Sequence, residues 1–503
     1  MVDATGDAVS KKYSFETALD LTGFGKYNII MLSTCCFTIL AMYMDIFGFS
    51  ILMPPIACDI SLDNAQQGLL SAVPLMGVMF SSYVWGLAAD TIGRRKTLLI
   101  AMPIGFLFNI AASMAPGYTS LAILKFFSAT FTSSANAAAF VLLGESVSSK
   151  NRSRFMFIMA SATMSSQLLI CLFALPVYKL TFHYEISWLN VDYRPWRLLM
   201  QIISLPAVIG ILNLLILKES PKFLLSKGKN YEALAVLQTI FKWNTGLEKN
   251  EYPVTHVYLD DEIVVKEGGT SLLLKIWNQT APLFKPPLLK NSIILYYLLL
   301  CAYMTCTGFS MWVPTMTNEF FMGEDTSGRS FCEVSSRSAV NHQTASRDCD
   351  HIIQPLTFYA VMCYSAMATC LGIVISFIVG PLGKKFTTLM VFVIAIVCGI
   401  LLLFSKIPLL SIGLFFFFLY VALILGNVNT YLVELNPTHL RGMATCLSVV
   451  VARGFAFISV QLIANLLANH CTAMMSGFIA LNISGLLVAA FLPPDPKRNR
   501  SQH

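Results

Sequence analysis

The stretch WGLAADTIGRRKT, Trp85–Thr97, sets one acid and three cations between two long apolar runs. GLLSAVPLMGVMFSSYV precedes it and LLIAMPIGFLFNIAASMA follows it. Asp90 is framed by Gly86 and Gly93, and Arg94, Arg95 and Lys96 come directly after. Two apolar runs joined by a short basic turn have the layout of two membrane-spanning helices that meet at the cytosolic surface.

The whole chain carries this pattern. Of its 503 residues 56% are hydrophobic and 12% charged, about half the roughly 25% charge of a soluble domain, and mean hydropathy is +0.68. About 20 apolar residues rising 1.5 Å each cross the roughly 30 Å hydrocarbon core. Lipid offers the backbone no hydrogen bonds, so the spans are expected to be helices; a β-barrel would show short alternating segments instead. Twelve candidate spans cover residues 28–51, 67–88, 97–115, 119–144, 155–180, 197–217, 287–313, 355–379, 387–404, 408–432, 443–468 and 472–492. The expectation is an all-α membrane protein with twelve transmembrane helices in two six-helix halves and both termini cytosolic. Its parts are an N-terminal arm (1–27), a first half (28–217), a central loop (218–286), a second half (287–492, with outer loop 314–354) and a basic tail (493–503). In the central loop KGKNYEALAVLQTIFK reads as an amphipathic surface helix. The arm lacks the basic-then-apolar layout of a cleavable signal, so the first span is read as the insertion signal.

Lysine and arginine placement sets the orientation. Of the 34, only Lys179, Arg194, Arg197, Arg329, Arg337, Arg347 and Lys406 fall on outer loops, while Lys125 and Arg453 lie inside spans. The net charge of +7 therefore reflects placement in the membrane and gives no case for nucleic acid. Cysteines within spans read as small apolar packing. Cys332 and Cys349 share the outer loop, on the oxidising side, and are the disulfide candidates. With no C-x-x-C, HExxH or GxxxxGK[ST] in the chain, no metal, cofactor or enzymatic chemistry is expected.

Gly86, Asp90, Gly93, Arg94 and Arg95 form the pattern G-x-x-x-D-x-x-G-R-R, which resembles the signature of the major facilitator superfamily. SFIVGPLGKKF, between spans eight and nine, repeats it in degraded form: Gly383, Lys384 and Lys385 keep the second glycine and the cations, while Ser376 and Gly380 replace the first glycine and the acid. LLGESVSSKNRSR (Glu145, Arg152, Arg154) and VELNPTHLRG (Glu434, Pro437, Arg441, Gly442) resemble the E-x(6)-R-type motifs of the sugar-porter and organic-ion branches. KESPKFL resembles the P-E-S-P-R-F-L segment after span six, and with YRPWRLL the whole resembles the synaptic vesicle glycoprotein 2-like group in its invertebrate form. One departure matters: vertebrate members carry a long glycosylated loop after span seven, and here that loop has no N-x-[ST] sequon. The sequons, at Asn151, Asn278, Asn482 and Asn499, fall in cytosolic or helical segments, so glycan-dependent roles are not expected to carry over.

Acids and cations at the inner ends of neighbouring helices can pair across the two halves when the cytosolic side closes. Such pairs are individually weak, about 1 kcal/mol or less, which suits a gate that must reopen. Asp90, Arg94, Glu145, Arg152, Glu434 and Arg441 are the expected latch, with Gly93 and Arg95 in the turn that bears it.

Charges inside spans cost roughly 2.5–3.5 kcal/mol and are functional candidates. Asp45 and Lys125 sit at matching depth on spans one and four and suggest a pair facing the cavity. The sugar-porter resemblance implies a role in proton coupling, where that branch pairs an acid with an arginine. The alternatives are a static pair, or a lysine reaching the interface. Arg453, ten residues into span eleven, is read as facing a central cavity and favouring an anionic or polar solute, unless an unidentified carboxylate or helix-end carbonyls pair with it. Asn136, Gln167, Tyr303, Tyr364, Asn427, Asn429 and Gln461 lie on helices that line the cavity in this fold and are weaker candidates, since any one of them can be helix–helix glue.

The function expected is a secondary transporter that moves a small polar or anionic organic solute by alternating access, with protons as the candidate coupling ion. It would work as a monomer in the plasma membrane or an intracellular vesicle membrane. The alternative is a non-transporting vesicle or surface protein that acts as receptor or trafficking partner.

Overall fold

A computed structural model describes residues 12–188, 191–259, 280–322, 328–334, 353–436 and 438–493. Eleven of its helices are long and apolar enough to cross a membrane, and a bent pair supplies a twelfth. In chain order they are α1 (Lys26–Ile60), α2 (Asn64–Ile92), α3 (Arg94–Ser113), α4 (Tyr118–Ser146), the bent α5 (Ser149–Met164 with Ser166–Val177), α6 (Pro195–Ile216), α7 (Leu289–Ser310), α8 (Pro355–Leu382), α9 (Lys384–Phe404), α10 (Pro408–Leu432), α11 (Ala444–Leu467) and α12 (Asn469–Ala489). The end of the bundle that carries the Gly93 turn is called the inner end.

Three boundaries differ from the sequence expectation. Hydropathy ends the first span at 51, ahead of Pro54 and Pro55, but α1 continues through both to Ile60. The fifth span breaks by 43° at Ser165. The last two spans meet with no loop: the helix kinks at their junction, where His470, in the first turn of α12, has non-helical angles. The described residues are also not purely helical. β1 (Lys12–Ser14) pairs in parallel with β4 (His256–Tyr258), and β2 (Tyr184–Ile186) with β3 (Val191–Tyr193) antiparallel.

The β1–β4 pair joins the N-terminal arm to the central loop, two parts that hydropathy separates. Asn244, at the end of helix Asn230–Thr245, accepts from the Tyr27 amide at 3.1 Å and donates to Gly23 O at 3.0 Å. Tyr252 donates to Ala18 O at 2.6 Å. Helix Asn230–Thr245 buries Ala233, Val236, Leu237, Ile240 and Phe241 on one face, as the 3.6-residue period requires.

The first six spans meet the last six along two seams. α2 packs down the length of α11: Gly68 leaves no room for a Cβ against Ala464, and a Cβ at Gly454 or Gly86 would stand 3.2 Å from Met79 Sδ or 3.3 Å from Cys446 Sγ. Small residues let helices approach closely where lipid gives no hydrophobic drive to associate. Along the other seam the Ser365 hydroxyl on α8 donates to Met164 O at 2.8 Å, and Tyr178 stacks on Phe358 at 5.5 Å.

Candidate functional site

Asp45, on α1, meets Lys125, on α4, in a direct ion pair. Lys125 Nζ also donates to Asn109 Oδ1 on α3 at 3.0 Å. The hydroxyls of Ser128 and Thr132 both donate to Asp45 Oδ2 at 3.1 Å. The ammonium lies 5.1 Å from the centre of the Phe49 ring, within cation–π range. Lys125 is fully buried and Asp45 is 4% exposed, so the lysine does not reach the interface. The expected cavity-facing position is corrected: the pair is enclosed among α1, α3 and α4, because α4's own hydroxyls cover the second carboxylate oxygen. α1 runs on to Ile60, about 22 Å beyond Asp45 at 1.5 Å per residue. Sequence reasoning missed Asn109, Ser128 and Thr132. The signal was the 125, 128, 132 spacing, which puts three polar groups on one face of α4.

Arg453, on α11, is 4% exposed, and its guanidinium lies 5.8 Å from the rings of both Tyr43 (α1) and Tyr303 (α7). Those two rings are its described contacts; among the described residues no carboxylate or carbonyl meets it. A guanidinium has five N–H donors and no acceptor, and the flanking rings leave its donor edge uncommitted. Tyr43 and Asp45 are two residues apart, about 200° around α1. One wall of α1 therefore faces the ion pair and the other faces Arg453.

At the inner end Gly93 has φ 108 and ψ 154, a region occupied almost only by glycine. A Cβ there would stand 2.5 Å from Glu219 Oε2. Glu219 accepts from the amides of Arg95 (2.9 Å) and Lys96 (3.2 Å), so its carboxylate satisfies free donors at the start of α3. Arg95 donates to Leu214 O at 2.8 Å and Leu215 O at 3.0 Å. Arg94 reaches Asp90 at 3.1 Å and Glu145 at 3.2 Å, and its guanidinium lies 4.9 Å from the Phe223 ring. Gly383, in the turn between α8 and α9, has φ 86 and ψ 153, repeating the Gly93 geometry.

In this structure these charges pair within each half and not across the two. Asp90, Arg94 and Glu145 pair with one another, Arg152 takes Glu16 of the arm at 2.7 Å, and Glu434 takes Lys384 of α9. Each finds its counter-ion on its own side, and no ion pair among the described residues joins the first six spans to the last six. Arg441 lies at the start of the helix that becomes α11, and its side chain is outside the described set.

The remaining candidates separate. Asn427 donates to Thr388 Oγ1 at 3.2 Å and Lys384 O at 3.3 Å, tying α10 to the start of α9. Tyr364 meets Ser310 at 3.2 Å and stacks on Tyr420. Tyr303 joins Arg453. Gln167 is buried and Gln461 half-buried, each with a buried amide nitrogen that lacks a partner. Asn136 is half-buried and Asn429 exposed. The disulfide expectation is corrected: Cys332 bonds to Cys471, at the α11–α12 junction, and one sulfur cannot also bond Cys349, which lies outside the described residues. The YRPWRLL segment proves to be a clasp. Arg194 pairs with Asp59 at 2.9 Å, and Arg197 donates to Ser113 O (2.9 Å) and Ala115 O (2.8 Å), tying the outer ends of α1, α3 and α6 together.

The family model described as Major Facilitator Superfamily matches residues 35–461. Synaptic vesicle glycoprotein 2B of Rattus norvegicus is 22% identical over 341 residues, which cover 64% of this chain and 50% of that protein. Synaptic vesicle glycoprotein 2A of Homo sapiens is 22% identical over 325 residues, covering 60% and 43%. The chain spans about half the length of the curated relatives it matches. Among solved structures, a partially occluded inward-open conformation of the xylose transporter XylE from E. coli aligns with a TM-score of 0.65 at 13% identity, covering 93% of this chain and 98% of that one. A D-xylose–proton symporter aligns at 0.60 and 14%, covering 93% and 97%. At such identities the structural likeness is one of fold.

Proposed function

The chain belongs to the major facilitator superfamily, and from that premise we propose that it is a secondary transporter of a small polar or anionic organic solute, working by alternating access. Membership places it with transporters rather than enzymes, as a multi-span membrane protein. The observation that carries the solute class is Arg453, a buried guanidinium held by Tyr43 and Tyr303 with no counter-ion among the described residues. A cation set in place by the fold disfavours a cationic solute and supplies a bidentate partner for a carboxylate or similar group. α1, α7 and α11 converge on it, from both halves of the chain.

In this reading Asp45 is the coupling residue. Protonating its carboxylate would weaken its hold on Lys125, and α1 links that event to Tyr43 and the solute. The likeness to a D-xylose–proton symporter supports a proton as the coupling ion. Both termini are assigned to the cytosol, on the distribution of lysine and arginine and on the disulfide at the opposite end. The membrane is assigned as that of an intracellular vesicle or the plasma membrane.

The test is uptake by the purified chain in sealed vesicles, across small organic anions, sugars and amines, with and without a pH gradient. Accumulation of an anion or polar neutral solute is expected, and accumulation of amines alone would overturn the solute class. The second reading, a receptor or trafficking partner, draws on the vesicle glycoprotein relatives. It would prevail if a folded protein accumulated nothing.

A further inference from the structure

Between α7 and α12, near the inner end, lies a groove of about 530 Å³ on the outside of the bundle. Leu289, Ile293, Ile294 and Tyr297 line one side, and Val488 and Phe491 the other. Positions 289, 293 and 297 form a stripe along α7, and 488 and 491 are one turn apart at the end of α12. The Tyr297 hydroxyl meets Ser484 Oγ at 2.7 Å and bridges the two helices at the deeper end. Ile293 and Phe491 are exposed, so the groove opens onto the acyl region.

Its mouth is cationic. Lys290 lines the groove at the first turn of α7. Lys285 lies one turn earlier, its carbonyl accepting from the Leu289 amide at 3.1 Å. Both are exposed, and among the described residues neither has an ion-pair partner. Lys385 donates to Leu492 O at 2.8 Å, directly after Phe491. No described acid lines the groove. An apolar slot with lysines at one end complements a molecule with a hydrocarbon chain and an anionic head, and each surface lysine attracts anionic lipid by about 1 kcal/mol.

We propose that this groove is a binding site for one anionic phospholipid, its chain between α7 and α12 and its phosphate held by Lys285 and Lys290. The proposal rests on the inner end lying at the cytosolic leaflet and is independent of transport.

The delipidated full chain, in detergent, is titrated with phosphatidylserine and with phosphatidylcholine, and bound lipids are counted by native mass spectrometry. One phosphatidylserine is expected to bind in preference to phosphatidylcholine. Lys285→Gln with Lys290→Gln should lower that preference roughly fivefold per lysine, and the Lys→Arg pair should retain it. Ile293→Trp, which fills the groove, should reduce binding of both lipids. Equal binding of the two lipids, an unchanged preference in the glutamine pair, displacement by cholesterol, or full competition by chain-free glycerophosphoserine would each overturn the proposal.

Discussion

Asp45 and Lys125 hold each other's charge where neither meets water, and removing one strands the other. A stranded buried charge costs about 3–5 kcal/mol. Asp45→Asn is therefore expected to lower the unfolding temperature in detergent, and adding Lys125→Met should recover part of the loss, because a neutral pair leaves no bare cation. If both single substitutions left the unfolding temperature unchanged, the pair would not be structural. A coupling role predicts one thing more: uptake by the Asp45→Asn protein no longer follows the pH gradient. The pair was legible in sequence because a charge in an apolar run stands out. Its shell of Asn109, Ser128 and Thr132 was not, because uncharged polar residues are common in spanning helices and only tertiary packing shows which of them converge. For the same reason the inner charges were legible but their individual partners were not: several cations compete for each acid, and Lys384, on the neighbouring helix of the same half, reaches Glu434.

The two glycine turns carry the fold's internal repeat. Gly93 and Gly383 share one backbone geometry although the second motif has lost its acid. Forcing a side chain into that region costs about 1–3 kcal/mol. Gly93→Ala and Gly383→Ala should both destabilise, Gly93→Ala by more because its Cβ also meets Glu219; thermal unfolding of the two variants checks the order. These turns were readable because glycine, acid and cations recur at fixed spacing. Helix ends were less so. Pro54–Pro55 reads as a stop, yet α1 passes through it, as spanning helices with packed neighbours can. Cys471 was hidden between two apolar runs, so its bond to Cys332 could not be read from loop composition.

At the scale of the whole molecule, six spans are packed against six along α2–α11 and α5–α8, with no ion pair between them among the described residues. The division into six and six was legible from the span count and the long polar segment between spans six and seven; the two seams were not. What hydropathy could not give was the meeting of α1, α7 and α11 at Arg453, which depends on the packing of distant helices. Arg453 is proposed to bind the transported solute. Solute counterflow into vesicles preloaded with an anion that the native protein accumulates tests it most directly, because exchange needs no coupling ion. Arg453→Gln should abolish exchange while the protein stays folded, and Arg453→Lys should keep a weakened exchange. Undiminished counterflow in Arg453→Gln would show that the guanidinium does not bind the solute.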